Sequence, residues 1–155
     1  GVIHGDPHLG NYALTDNAER LHLLDFGCVR IFPPRFLEGV VGLWRGLKAD
    51  DMEQVAHSYE IWGFKNLNAE LIEALTMWAR FIYGPLLDDR VRTIADDVPP
   101  AEYGRREAFE VRKRLKTLGP VLIPREFVFM DRAAIGPGSA SQHLKAEINL
   151  YRLFH

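Results

Sequence analysis

The chain has 155 residues, of which 47% are apolar and 26% are charged, and its formal net charge is −2. This length and composition predict one globular domain or one large lobe, and they exclude a collagen, a low-complexity disordered chain and a disulfide scaffold. The nearly balanced charge gives no electrostatic support for a nucleic-acid partner, so none is expected. With a single cysteine, Cys28, no internal disulfide can form.

The first 30 residues combine loop signals with one β-hairpin. Gly5 and Gly10 favour a loop. Two short apolar stretches, 12–14 and 21–24, flank a polar stretch of turn-forming residues, and this pattern predicts the hairpin. The opening Gly-Val-Ile-His is typical of the middle of a strand that leads into a loop. It predicts a fragment whose N-terminal part is missing.

Beyond Pro33 the apolar residues recur at three- and four-residue spacings, which predicts helices. Capping residues and helix breakers indicate where three of these helices begin and end. The first begins at Pro34, the second follows Asp50 and Asp51 and ends at Gly63, and the third follows Asn68 and stops near Gly84 and Pro85.

The remaining stretch alternates loops and helices. Residues 86–100 predict a charged loop with at most one short helix. Residues 101–118 predict a helix exposed along one side, because its apolar residues are too sparse for a broad core face. Its basic run predicts either a solvated face or a surface for anionic lipid headgroups or an acidic partner. Two final helices are expected at 125–135 and 139–154.

Two motifs near the N-terminus carry the chemistry. Residues 4–11 read His-Gly-Asp-Pro-His-Leu-Gly-Asn, and residues 24–27, across the hairpin, read Leu-Asp-Phe-Gly. Phosphoryl transfer needs a carboxylate that orients the attacking hydroxyl, and hard oxygen ligands for magnesium on the nucleotide phosphates. Asp6 suits the first role, and Asn11 and Asp25 suit the second. The hairpin is expected to return both magnesium ligands to the same end of the sheet.

The combined pattern is specific, although Asp-Phe-Gly alone is a weak signal. Gly27 is expected to let the chain turn sharply after Asp25. Six fixed positions in register match by chance on the order of once in tens of millions of placements. They are His4, Asp6, Asn11, Asp25, Phe26 and Gly27.

These motifs resemble the catalytic loop and the metal-binding Asp-Phe-Gly of the protein-kinase-like superfamily. Within it they most resemble the UbiB/AarF family of atypical kinases, also called the ADCK group. That family typically shows His-x-Asp-Pro-His-Pro-Gly-Asn followed by Asp-Phe-Gly. Segments 47–51, 122–126, 131–133 and 149–152 resemble the family more loosely, so the resemblance covers most of the chain.

The resemblance implies a role for each matching residue. Asp6 would be the catalytic-loop aspartate, and His4 would brace the loop. Asn11 and Asp25 would bind Mg²⁺, and the implied cofactors are ATP and Mg²⁺. The implied cofactor-binding residues are Asn11, Asp25, Phe26 and Gly27.

Two positions depart from related patterns. Leu9 stands where the UbiB/AarF family usually has proline, which removes no functional group. His8 stands where ordinary protein kinases carry a lysine that contacts the transferred phosphate, which argues against ordinary protein phosphorylation. Taken alone, His8 is expected to be merely exposed on the loop.

The resemblance also implies the architecture. The expected fold is mainly α with a small β-hairpin, the C-terminal lobe of a protein-kinase-like fold whose N-lobe is absent. Residues 1–30 would hold the catalytic loop, the hairpin and the metal-binding segment, and residues 31–155 would form the helical lobe.

The implied activity is Mg-ATP-dependent phosphoryl transfer or ATP hydrolysis that supports ubiquinone (isoprenoid quinone) biosynthesis. The phosphate acceptor is unknown and could be a lipid, a small molecule or a protein. The expected location is the cytoplasm, with peripheral association at the inner face of the membrane, and the fragment alone is expected to be inactive. Two alternatives stay open: a small-molecule phosphotransferase of the aminoglycoside or choline kinase type, and a non-catalytic nucleotide- or lipid-binding scaffold.

Overall fold

The computed structural model describes residues 1–93, 104–118, 126–127, 130 and 145–154. These residues form helices and short antiparallel strand pairs, so the predicted mainly α fold with small β elements is confirmed. None of the described helices is long and apolar enough to span a membrane. The strands are β1 (Val2–His4), β2 (Tyr12–Leu14), β3 (Leu21–Leu23), β4 (Val29–Ile31), β5 (Arg92–Thr93) and β6 (Glu147–Ile148). The helices are α1 (Pro34–Ala49), α2 (Met52–Trp62), α3 (Ala69–Leu87), α4 (Arg105–Thr117) and α5 (Leu150–Phe154).

The boundary between α1 and α2 is formed by two aspartates with different roles. The Asp51 carboxylate caps α2 by accepting the backbone N–H of Gln54 at 3.0 Å. Gly63 ends α2 in the left-handed region, as predicted, with φ of 96°. Asp50, predicted as a second helix-start residue, is instead the left-handed C-cap of α1, and it forms an ion pair with Arg80 at 2.7 Å.

The third helix extends further than the sequence pattern predicts. It begins after Asn68, as expected, but it passes through Gly84 and Pro85 and ends at Leu87. A proline in the last turn deprives the helix of only one hydrogen bond. Leu86 and Leu87 pack against the core, and this burial offsets the loss.

The C-terminal part differs from the predicted helix at 139–154. Only α5 is helical among the described residues after 145, because Glu147–Ile148 pairs as a strand with Arg92–Thr93. Residues 126, 127 and 130 are helical, and the rest of the predicted helix at 125–135 lies outside the described residues, as do residues 94–100 of the predicted loop.

The core lies between α1, α2 and α3, and α1 approaches α2 closely along a row of glycines. The indole N–H of Trp62 on α2 donates to the Phe36 carbonyl of α1 at 2.9 Å. A Cβ added at Gly39 would lie 2.7 Å from Cδ1 of Trp62, and one at Gly46 would lie 2.9 Å from a methyl group of Val55. Glycine at these positions therefore allows the two helices to pack at short range.

Replacing Gly39 with alanine is expected to lower the free energy of unfolding by about 2 kcal/mol. Overpacking against the Trp62 indole costs about 3 kcal/mol, and the better helix propensity of alanine returns about 1 kcal/mol. Gly84→Ala is the matched control, because a Cβ placed there would have no described heavy atom within 4 Å beyond its chain neighbours and its own helix backbone. Urea unfolding measures both variants. Equal stability of Gly39→Ala and the unchanged protein would contradict the tight α1–α2 contact.

Tyr59 makes the stability of the folded protein depend on pH in the alkaline range. Burial raises the pKa of its hydroxyl to about 12, although a hydrogen bond with Thr76 and the charge of Arg80 lower it in part. In the unfolded chain this hydroxyl ionises at about pH 10. The contribution of the buried neutral hydroxyl to the free energy of unfolding is therefore complete below about pH 10 and is lost as the pH rises to about 12. The loss amounts to about 3 kcal/mol. Urea unfolding of Tyr59→Phe should show a correspondingly flatter alkaline decline, and an identical decline would be evidence against this assignment.

Candidate active site

Two short strand pairs hold two loops side by side. Antiparallel β1 and β4 place His4 opposite Val29, and antiparallel β2 and β3 place Tyr12 opposite Leu23. The first loop (residues 5–11) runs from β1 to β2, and the second loop (residues 24–28) runs from β3 to β4. Each loop therefore begins in one strand pair and ends in the other. The β2–β3 hairpin confirms the sequence prediction.

Hydrogen bonds join the two loops along their length. A Cβ added at Gly5 would lie 2.7 Å from the Cys28 carbonyl oxygen, so this close approach requires glycine. Two bonds join the loops directly: Gly5 N–H to the Cys28 carbonyl at 2.9 Å and Leu24 N–H to the Asn11 carbonyl at 2.8 Å. A third runs from His4 Nε2–H, at the end of β1, to the Asp25 carbonyl at 2.8 Å.

His4 connects the backbones of the two acidic site residues. Its Nε2 donates to the Asp25 carbonyl at 2.8 Å, and its Nδ1 accepts the Asp6 N–H at 3.4 Å. Both bonds require the same neutral tautomer, with the proton on Nε2. The Phe26 ring stands edge-on to the imidazole, with 6.3 Å between centroids. His4 thus sets the distance between the first and second loops.

The Asp6 carboxylate is half exposed and faces His8. Its Oδ2 lies 3.5 Å from Nε2 of His8, whose Nδ1 accepts the Gly10 N–H at 3.1 Å. That second contact caps a short 3₁₀ turn, Leu9–Asn11. His8 is exposed, as its sequence context predicts, but its approach to Asp6 was not predicted. The only signal was its position two residues after the aspartate.

The Asn11 side chain is buried and oriented. Its Nδ2 donates to the Asp6 carbonyl at 2.9 Å, which fixes the amide plane. Within the described part of the chain, no group donates a hydrogen bond to its Oδ1. This carbonyl oxygen can therefore ligate a cation or accept a hydrogen bond from a bound molecule.

Asp25 adopts the left-handed backbone conformation, with φ of 51°. Aspartate tolerates this region because its side chain bonds to nearby backbone, and here Oδ1 accepts the Gly27 N–H at 3.0 Å. The chain therefore turns directly after Asp25, as predicted, but the residue in the left-handed region is Asp25 and not Gly27. Gly27 instead belongs to a 3₁₀ turn, Phe26–Cys28, and a Cβ there would lie 3.0 Å from the Asp25 carboxylate.

Asn11 and Asp25 have the donor chemistry that magnesium prefers. An amide oxygen and a carboxylate are hard ligands, and magnesium on a nucleotide takes one or two protein ligands together with phosphate oxygens. Among the residues that the structure describes, no group of three or more His, Cys, Asp and Glu could hold a metal ion. One amide oxygen and one carboxylate suit a magnesium ion that also takes phosphate oxygens from a nucleotide.

Comparison with known proteins supports a kinase-like assignment. No curated protein matches the chain. Residues 1–59 match the family model of the ABC1 atypical kinase-like domain, a stretch that contains both loops, the first four strands, α1 and most of α2. The mainly helical architecture is consistent with the C-terminal lobe of a kinase-like fold. The N-terminal part of the chain is thus similar to the atypical kinases, which supports a kinase-like function in general.

Proposed function

We propose that the two loops bind Mg-ATP and direct its γ-phosphoryl group to an acceptor or to water. The observation that carries this proposal is the hydrogen-bonded junction of the loops. The Asn11 carbonyl accepts the N–H of Leu24, the residue before Asp25, so the chain brings the amide and the carboxylate to adjoining segments. Amide and carboxylate oxygens are both hard ligands that nucleotide-bound magnesium accepts.

Each residue has a distinct part in the proposed reaction. Asn11 Oδ1 and the Asp25 carboxylate would hold Mg²⁺, which neutralises charge on the phosphate oxygens. Asp6 would orient the attacking hydroxyl and accept its proton, since its carboxylate is exposed to an incoming group. His4 would hold the backbones of Asp6 and Asp25 at a fixed distance through the two hydrogen bonds of its ring nitrogens.

We further propose that the enzyme acts in the manner of the UbiB/AarF group, in support of ubiquinone biosynthesis. The motif of residues 4–11 supports this narrower assignment, because its Pro-His-x-Gly-Asn ending separates it from the aminoglycoside and choline kinases. His8 in place of a phosphate-contacting lysine argues for a lipid, a small molecule or water as the acceptor.

Calorimetric titration of the full-length protein with ATP tests the proposal. We expect binding in the presence of Mg²⁺ and a large loss of affinity when the metal is chelated. Release of inorganic phosphate without an added acceptor would indicate ATP hydrolysis. ATP binding of equal strength with and without Mg²⁺ would contradict the proposal.

A further inference from the structure

The imidazole ring of His8 is held in place at the start of the short 3₁₀ turn, Leu9–Asn11. Its Nδ1 accepts the backbone N–H of Gly10 at 3.1 Å, and this contact caps the turn. A Cβ added at Gly10 would lie 2.9 Å from Cε1 of His8 and 3.1 Å from its Nδ1. The ring can therefore lie in this position only because residue 10 is a glycine.

The backbone between Asp6 and His8 is fixed as well. The His8 N–H donates to the Asp6 carbonyl at 2.9 Å, and the same carbonyl accepts Nδ2 of the buried Asn11 at 2.9 Å. Pro7, which lies between them, is buried, and its ring restricts one backbone dihedral angle. The turn therefore holds the side chains of Asp6 and His8 close to each other, although both are exposed to solvent.

The contact with Gly10 decides which ring nitrogen of His8 can donate. A nitrogen that accepts a hydrogen bond carries no proton, so the neutral ring bears its proton on Nε2. Nε2 lies 3.5 Å from Oδ2 of Asp6. This distance exceeds that of a good hydrogen bond, but such contacts in catalytic sites often shorten when a substrate binds. Oδ1 of Asp6 has no partner among the described residues, so an incoming hydroxyl can meet it.

We propose that His8 is a positioning residue for Asp6, a role that rests on the proposed function. Its Nε2–H donates to Oδ2 and thereby turns Oδ1 toward the attacking hydroxyl of the acceptor or of water. A carboxylate without this partner would adopt the reactive orientation for only part of the time. His8 gives up no proton in this step. The proton of the attacking hydroxyl passes to Asp6, and the new bond to phosphorus forms as the bond between phosphorus and the departing ADP oxygen breaks.

Two amide substitutions separate the two contacts of His8. The side-chain oxygen of asparagine can replace Nδ1 and accept the Gly10 N–H, but its amide is too short to reach Asp6. The longer glutamine can place an N–H near the position of Nε2 and donate to Asp6, while it loses the contact with Gly10. His57→Asn is the matched control, because His57 is also exposed and lies 3.4 Å from a carboxylate, that of Glu60.

Single turnovers of the full-length protein, with γ-labelled ATP and the enzyme in excess, measure the rate of phosphoryl transfer to water. His8→Asn should slow phosphate release by about 10- to 100-fold, because a reacting group misplaced by about 1 Å costs up to about 100-fold. Its melting temperature and its affinity for Mg-ATP should stay unchanged. His8→Gln should recover most of the rate in spite of a lower melting temperature, and His57→Asn should release phosphate as fast as the unchanged protein.

The other outcomes separate this inference from the proposed function. Equal rates for His8→Asn and the unchanged protein would overturn the inference and leave the proposed function intact. An equal fall in rate in both His8 variants would also overturn it, because His8 would then serve only the turn. Binding of Mg-ATP with no release of phosphate by the unchanged protein would overturn the inference alone. Failure of that protein to bind Mg-ATP would overturn the proposed function together with it.

Discussion

Replacing Asp25 with asparagine is expected to abolish the magnesium-dependent part of ATP binding in the full-length protein. The carboxylate is the only charged group among the two proposed magnesium ligands, so its neutralisation removes most of the attraction for the cation. We expect Mg-ATP affinity to fall by more than about 100-fold. Losing a residue that only hydrogen-bonds to a metal ligand costs roughly 10- to 100-fold in metal affinity, and losing the ligand itself should cost more. Calorimetric titration with and without Mg²⁺ measures it.

Asparagine is the right substitute because it preserves the second loop. It tolerates the left-handed backbone of position 25, and its side-chain oxygen can still accept the Gly27 N–H. Alanine would remove both features. A fall in Mg-ATP affinity could then come either from the missing carboxylate or from a disrupted turn. Asp16→Asn, on the exposed hairpin turn, is a control with the same charge change. Unchanged Mg-ATP affinity in Asp25→Asn would remove this residue from the magnesium site.

Replacing Asp6 with asparagine should leave Mg-ATP binding intact and lower turnover by about 10²- to 10⁴-fold, the usual contribution of a general base. The structure separates these two effects. The bonds of Asp6 with His4 and Asn11 use its backbone, so the substitution keeps them. Its carboxylate contacts His8 alone among the described residues.

Steady-state kinetics and thermal melting together decide between a catalytic and a structural Asp6. A catalytic role predicts a fall in kcat with an unchanged melting temperature and an unchanged ATP affinity. A lower melting temperature with kcat unchanged in the folded fraction would show that Asp6 serves the loop and not the reaction. Asp16→Asn again supplies the control for a simple loss of charge.

Features specified by neighbouring residues could be predicted from the sequence. Pro34 begins α1, Asp51 caps α2, Gly63 ends it and Asn68 precedes α3. Pro34, Asp51 and Asn68 act through a side chain that removes or satisfies a backbone group within one helical turn, and Gly63 acts through its access to the left-handed region. The β2–β3 hairpin was predictable for the same reason, because its polar turn lies between two short apolar stretches.

Features that depend on distant contacts were missed. The pairing of β1 with β4 joins segments about 25 residues apart, and three-residue strands carry no readable periodicity. The extension of α3 past Pro85 depends on the packing of Leu86 and Leu87 against the core, which is built from residues distant in the sequence. At the candidate site, the roles of Asn11 and Asp25 as magnesium ligands stay predictions, and the approach of His8 to Asp6 and the left-handed turn at Asp25 required the folded loops.

Paramagnetic broadening by Mn²⁺ in the presence of ATP tests the central claim most directly, that Asn11 and Asp25 together hold the nucleotide's metal ion. Mn²⁺ accepts the same oxygen ligands as Mg²⁺, and amide resonances report its position residue by residue. We predict selective loss of the amide signals of Asn11, Asp25 and Gly27 when Mn²⁺ and ATP are both present, and recovery of these signals in Asp25→Asn. Identical broadening in the variant, or broadening centred on other residues, would contradict the account.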